Sequence, residues 1–183
     1  MEWTAVSIVL GLAGHCHTPS MASEAADPNA HVVFQLSDED GWPPVGTERL
    51  WAFRLGGNQY RIDNVPFFVC DLAVGDVVRT GLSVGGSDPV FSELVERSDH
   101  VTIRLICFEH GPLQGDVERA LELFTVLGVF GEGFPEYRML ALDIEPTAPL
   151  PAIVETLRRG VDNGSWDYEE GRITQAWIDA RAD

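Results

Sequence analysis

"HVTIRLICFE", residues 100–109, alternates so that Val101, Ile103, Leu105 and Cys107 face one way. A period of two over this length is the pattern of a strand with one face in a core. "GPLQG" (111–115) stops it, and "DVERALELFTVLG" (116–128) changes the period. Val117, Ala120, Leu121 and Phe124 then fall at helical spacing, with Asp116 where a cap belongs, Glu118 in the first turn and Gly128 at the end. "VFGEGF" (129–134) reads as a strand. "YRMLALDI" (137–144) reads as another, with Tyr137, Met139 and Ala141 opposite Arg138, Leu140 and Leu142. "EPTAPLPAIVETLRRGVDNG" (145–164) places Ile153, Val154, Leu157 and Val161 on one helical face, with Pro151 in the first turn. "SWDYEE" (165–170) closes the series as a strand. The order β-α-β-β-α-β over residues 100–171 predicts a ferredoxin-like module, with two helices on one side of a four-stranded antiparallel sheet. The other face needs a cover, from the first half of the chain or from a second copy in a homodimer. Residues 172–183 carry Ile173, Trp177 and Ile178 near one helical face and predict a C-terminal helix or tail.

Upstream, "HVVFQL" (31–36) is the first expected strand, and "SDEDGWPPVG" (37–46) is a loop because Pro43 and Pro44 interrupt a ladder. "TERLWAFRL" and "NQYRI", joined through Gly56 and Gly57, form a hairpin pattern. "VVRTGL" (77–82) and "PVFSELVERS" (89–98) add further strands. Five or six short strands with tight turns predict a small β-barrel-like module over residues 31–99. The fold class expected is therefore α+β, a barrel-like module followed by a ferredoxin-like one. Residues 1–30 are expected to be an extension or disordered. Their apolar run "VSIVLGLAG" (6–14) is too short to span a bilayer and lacks the basic start of a secretory signal. Met21 offers a second plausible start. No membrane association and a cytoplasmic location are expected.

The 183 residues carry 29 acidic side chains against 12 basic ones, a formal net charge of -17. All the basic residues are arginine. Such a chain repels nucleic-acid phosphates, which argues against direct nucleic-acid binding and leaves a protein partner or a small molecule. Cys16, Cys70 and Cys107 include no CxxC pair, and Cys107 with His110 supplies only two ligands, so neither a metal nor a cofactor is expected. The His15-Cys16-His17 run is read as tail, and Gly56–Gly57 and Gly85–Gly86 lack phosphate-loop spacing.

Two stretches carry most of the candidate chemistry. "VERSDH" (95–100) places Glu96, Arg97, Asp99 and His100 at a strand end. His100 as a base with Glu96 or Asp99 orienting it would suit a small hydrolase or isomerase, but no GxSxG or HExxH motif supplies the rest of such a site. "DNVPFF" (63–68) combines turn-forming Asp63 and Asn64 with Phe67 and Phe68, one suited to core closure and the other to a pocket or interface. Asp63, Asn64, Phe67, Arg97 and His100 are accordingly expected to form a ligand or partner surface near the module boundary of a non-enzymatic binding or regulatory protein. An acidic inhibitor or immunity-type protein masking a basic surface is the second reading. "WDYEE" alternates aromatic rings with acids, a pattern that grips a basic peptide or an amine but also protects an edge strand.

At "YRIDNVPFF" (60–68), "GDVV" (75–78), "VERSDH" and "GSWDYEEG" (164–171), the chain resembles an uncharacterised bacterial family, domain-of-unknown-function family 4265. The resemblance runs over roughly residues 32–171. Ile62, Val65 and Asp99 depart from the family pattern, which has Leu, Ile and Gly there. The resemblance implies module boundaries and no activity.

Overall fold

The computed structural model describes residues 30–37, 41–81 and 88–182. The extension, the His15-Cys16-His17 run and Gly85–Gly86 lie outside the described residues. Among the described residues, nine strands form two sheets. The first is a meander of β1 (Ala30–Gln35), β2 (Thr47–Gly56), β3 (Gln59–Ile62), β4 (Val77–Thr80) and β5 (Phe91–Glu96), each antiparallel to the next. Glu48, Leu50 and Ala52 alternate inward along β2, and Trp51 points out. The β2–β3 turn uses Gly57 and Asn58, both at positive φ (58° and 61°), the pair of left-handed residues that a tight hairpin demands. Val32, Phe34, Leu50, Ala52, Tyr60, Ile62, Leu72 and Val78 form the core of this half.

The expected barrel does not form. The sheet is open between β1 and β5, which meet among the described residues at an isolated parallel bridge, Val33 to Val90. Register shifts between Val77 and Val78 and between Arg79 and Thr80 bulge the β4–β5 pair. A bulge re-aims a strand, and closure requires a consistent stagger around the whole ring, which this ladder lacks.

The second sheet comprises β6 (Val101–Cys107), β7 (Phe130–Phe134), β8 (Met139–Ile144) and β9 (Trp166–Arg172) in the antiparallel order β7-β8-β6-β9. With α1 (Val117–Thr125) and α2 (Leu150–Asp162), this is the strand order a ferredoxin-like β-α-β-β-α-β chain adopts. The Asp116 side chain caps α1 by accepting from the Glu118 and Arg119 N–H groups at 3.0 and 3.1 Å. Ile103, Leu105, Phe124, Leu140, Leu142, Ile153, Leu157 and Trp166 build the core between sheet and helices. Helix α3 (Gln175–Ala182) packs on α2 and buries Trp177, whose indole N–H donates to Glu170 at 2.8 Å.

One expectation for α2 fails. Val161 is exposed, and Gly160 is the buried residue of that turn. The Trp166 indole lies where a side chain at position 160 would stand.

Of the two covers expected for the open face of the second sheet, the first half of the chain supplies one. Residues 63–76 fold across it, and Val65 and Phe67 pack on Met139 and Ala141 of β8. The Asp71 N–H donates to Gly171 O at 2.9 Å, and the Thr102 hydroxyl to Leu72 O at 3.0 Å. The two sheets therefore meet through this segment.

Candidate functional site

The segment between β3 and β4 contains no strand, so its backbone polar groups need partners other than a ladder. Glu48 of β2 supplies three. Its carboxylate accepts from the N–H groups of Phe67, Phe68 and Val69 at 2.7, 3.0 and 2.8 Å. From the other sheet, Arg104 of β6 donates to the Phe67 and Val69 carbonyls at 3.1 and 3.3 Å. Both side chains are buried, at 9% and 4% exposure. Burial pushes the Glu48 carboxyl up from its ordinary value, against the three N–H donors and the nearby Arg104 charge, which pull it down. The Arg104 Nε is 2.5 Å from Glu169 of β9 as an ion pair, but the N–H is not aligned for a hydrogen bond. The loop 67–70 is thus clamped by an acid from one sheet and a base from the other.

That loop lines a cleft of about 720 Å³ at the seam. Phe34, Gln35 and Phe91 line it from the first sheet, with Leu36, Ser37, Trp42 and Pro43 from the chain that follows β1. Arg104, Ile106, Met139 and the run Asp167 to Glu169 line it from the second sheet, and Phe67 to Cys70 complete it. Cross-strand register sets Ile106 opposite Asp167 and Arg104 opposite Glu169. Trp42 is 46% exposed, with its ring centroid 5.7 Å from that of Phe68 and 6.4 Å from that of Tyr137.

"VERSDH" serves the junction. Arg97 makes a paired contact with Asp71, at 2.8 and 2.5 Å, on the surface. That pairing, chiefly its hydrogen bonds, holds the Asp71 carboxyl below its ordinary value. The Ser98 N–H donates to the buried Asp76 carboxylate at 2.6 Å, and Arg172 donates to the Ser98 and His100 carbonyls at 2.7 and 2.9 Å. His100 Nδ1 lies 2.8 Å from Asp143 Oδ1 of β8, and burial pushes that carboxyl up. The acid that reaches the imidazole is therefore Asp143, while Glu96 and Asp99 are exposed. Asn64 accepts the Trp51 N–H at 2.8 Å and extends the β2 edge. Asp63 donates its own N–H to the Trp51 carbonyl, and burial pushes its carboxyl up. Of the five expected binding residues, Phe67 lines the cleft; Asp63 and Asn64 sit beside Trp51, and Arg97 and His100 at the link between the sheets.

Among the described residues, no group of three or more His, Cys, Asp or Glu side chains could hold a metal ion, and no helix is long and apolar enough to cross a membrane. The view of the chain as simply an acidic protein is corrected by how its charges are placed. Arg49, Arg79, Arg97, Arg104, Arg138, Arg159 and Arg181 each pair with a carboxylate, so both signs are interspersed. A continuous acidic mask has no support in that pattern.

The thiols differ in a checkable way. Cys70 is exposed in the cleft, whereas Cys107 is buried and its thiol is pushed up to about 11, chiefly by that burial. Maleimide at neutral pH, followed by peptide mapping, is expected to modify Cys70 and to leave Cys107 intact until denaturant is added. Modification of Cys107 in the native protein would contradict the packing described.

Fold and seam together define an α+β protein of two antiparallel sheets, three helices and an inter-sheet cleft. The chain belongs to the family described as Domain of unknown function (DUF4265), whose model matches residues 48–168. It is also similar in fold to the crystal structure of a hypothetical protein from Neisseria gonorrhoeae, with a TM-score of 0.64 and 16% identity over 87% of this chain and 98% of that one. No curated protein matches the chain.

Proposed function

We propose that this chain is a non-enzymatic binding protein that takes a small molecule in the cleft between its sheets. The observation that carries this reading is the cleft itself. Its volume of about 720 Å³ suits a drug-sized ligand, and its lining is mainly aromatic and aliphatic with a few polar groups. The Glu48–Arg104 clamp fixes the loop that forms one wall, so little ordering cost accompanies binding. The catalytic alternative would rest on His100, whose Nδ1 is engaged by Asp143 at the junction.

Ligand-observed NMR with a panel of small aromatic and aliphatic compounds tests the proposal. Compounds that bind the parent protein are expected to lose binding to Trp42→Ala and Phe68→Ala, with the fold of both variants verified by circular dichroism. A panel that yields no binder, or binders indifferent to both substitutions, would remove the cleft as the site.

A further inference from the structure

Resting on the cleft as a binding site, we infer that its ligand is a small organic cation, an amine or ammonium carried on an apolar body. The charges of the lining decide the sign. Arg104, the cation of the lining, is 4% exposed, donates to two loop carbonyls and is paired with Glu169. Its charge is neutralised and its donors are turned into the protein, so it offers an incoming anion little. Asp167 is exposed and belongs to no ion pair among the described residues; its carboxylate accepts the Tyr168 N–H at 2.8 Å. Among the described residues, the lining therefore has one carboxylate more than its arginine balances. It stands on the face of β9 that carries Glu169, two residues away along the strand.

The apolar wall suits the same ligand. A cation over an aromatic face is attracted by the ring quadrupole, most strongly over indole. Trp42 and Phe68 meet edge to face at 5.7 Å, with Trp42 half-exposed on the cleft. The guanidinium–ring contacts among the described residues, Arg54 over Tyr60 and Arg61 over Phe53, use other rings of the first sheet. Aromatic rings combined with an unbalanced carboxylate favour a positive charge over a neutral polar group, and both disfavour an anion.

Three probes of similar size separate charge from shape: 2-phenylethylammonium, 2-phenylethanol and phenylacetate, titrated calorimetrically into the full chain. The cation is expected to bind about tenfold more tightly than the alcohol, with phenylacetate weakest. Asp167→Asn is expected to remove a large part of that preference without loss of folding, because the side chain is exposed, and added salt to narrow it. Trp42→Ala is expected to abolish binding of the cation. Equal binding of cation and alcohol, or tighter binding of phenylacetate, would overturn the charge inference while leaving the cleft as a binding site. If none of the three binds, the charge inference falls, and the compound panel decides separately whether the cleft binds anything.

Discussion

Glu48→Ala is expected to lower the folding free energy by about 3–5 kcal/mol, the range for removing one partner from a buried charged network. Three N–H groups of the 67–69 backbone lose their acceptor together, and Arg104 loses a nearby counter-charge. For a chain of this size the midpoint of thermal unfolding should fall by on the order of 10 °C. Glu48→Gln should cost less, since one amide oxygen still accepts. The pH dependence then isolates the carboxyl. Burial raises the folded-state value of Glu48, so the folded chain holds that proton more tightly than the unfolded one. Its stabilising contribution is complete below the unfolded glutamate value, about 4.3. The contribution is lost as pH rises through the raised folded value. The melting temperature of the parent minus that of Glu48→Gln is therefore expected to be larger near pH 5 than near pH 7.5. A difference that grows with pH would mean the carboxylate is stabilised where it sits, and a flat one that folding leaves its proton affinity unchanged; either would contradict the raised value.

Gly160→Ala tests the packing of the second half. Helix propensity alone would make alanine more stable by about 1 kcal/mol at an interior position. The structure predicts the reverse. A Cβ at 160 would lie 1.9 Å from Cε2 and 2.0 Å from Cζ2 of Trp166, an indole only 2% exposed. That ring packs 5.7 Å from Phe124 and donates its N–H to Leu157 O at 3.2 Å. Both contacts must be given up if the indole moves. The expected cost is about 3–5 kcal/mol, comparable to deleting a buried tryptophan. Chemical denaturation should show it, together with loss of near-ultraviolet tryptophan dichroism. A stabilised alanine variant would show that α2 does not approach β9 as closely as described.

The same residues explain what was legible in the sequence. The α1 cap, the hairpin turn and the order of strands and helices after residue 100 are written in local spacing, and Asp116, Gly57 and the alternation of β6 carry them directly. Barrel closure is not local. "FSELVE" states that a strand exists but not whether its outer edge reaches β1, which depends on bulges accumulated against β4. Val161 fits a helical face as well as its neighbours do, and only the arrival of Trp166 from β9 decides that the glycine beside it turns inward.

The clamp left one readable trace. Glu48 shares the parity of Leu50 and Ala52, so an acid on the core side of β2 announces a buried carboxylate in need of donors. Arg104 left less. It lies on the face of β6 opposite Ile103 and Leu105, and that face becomes interior only because residues 63–76 cover it. Cleft residues from β1, the Trp42 loop, the 67–70 loop, β6 and β9 are far apart in the chain, so no motif could assemble them. The rings and acids of "WDYEE" fitted edge-strand protection as well as a grip on a basic peptide or an amine, and its Asp167 and Glu169 line the cleft. The partnership of His100 with Asp143 likewise required the pairing of β6 with β8.

A binding site at the seam between the sheets would show in the backbone resonances around it. Amide chemical-shift mapping on the isotope-labelled chain, with 2-phenylethylammonium and 2-phenylethanol as probes, tests it most directly. Perturbations are expected to cluster at Gln35, Ser37, Val69, Cys70, Tyr168 and Glu169, to saturate with probe concentration and to be absent in Trp42→Ala. Perturbations confined to Asp63, Arg97 and His100, or saturable shifts that persist unchanged in Trp42→Ala, would contradict it.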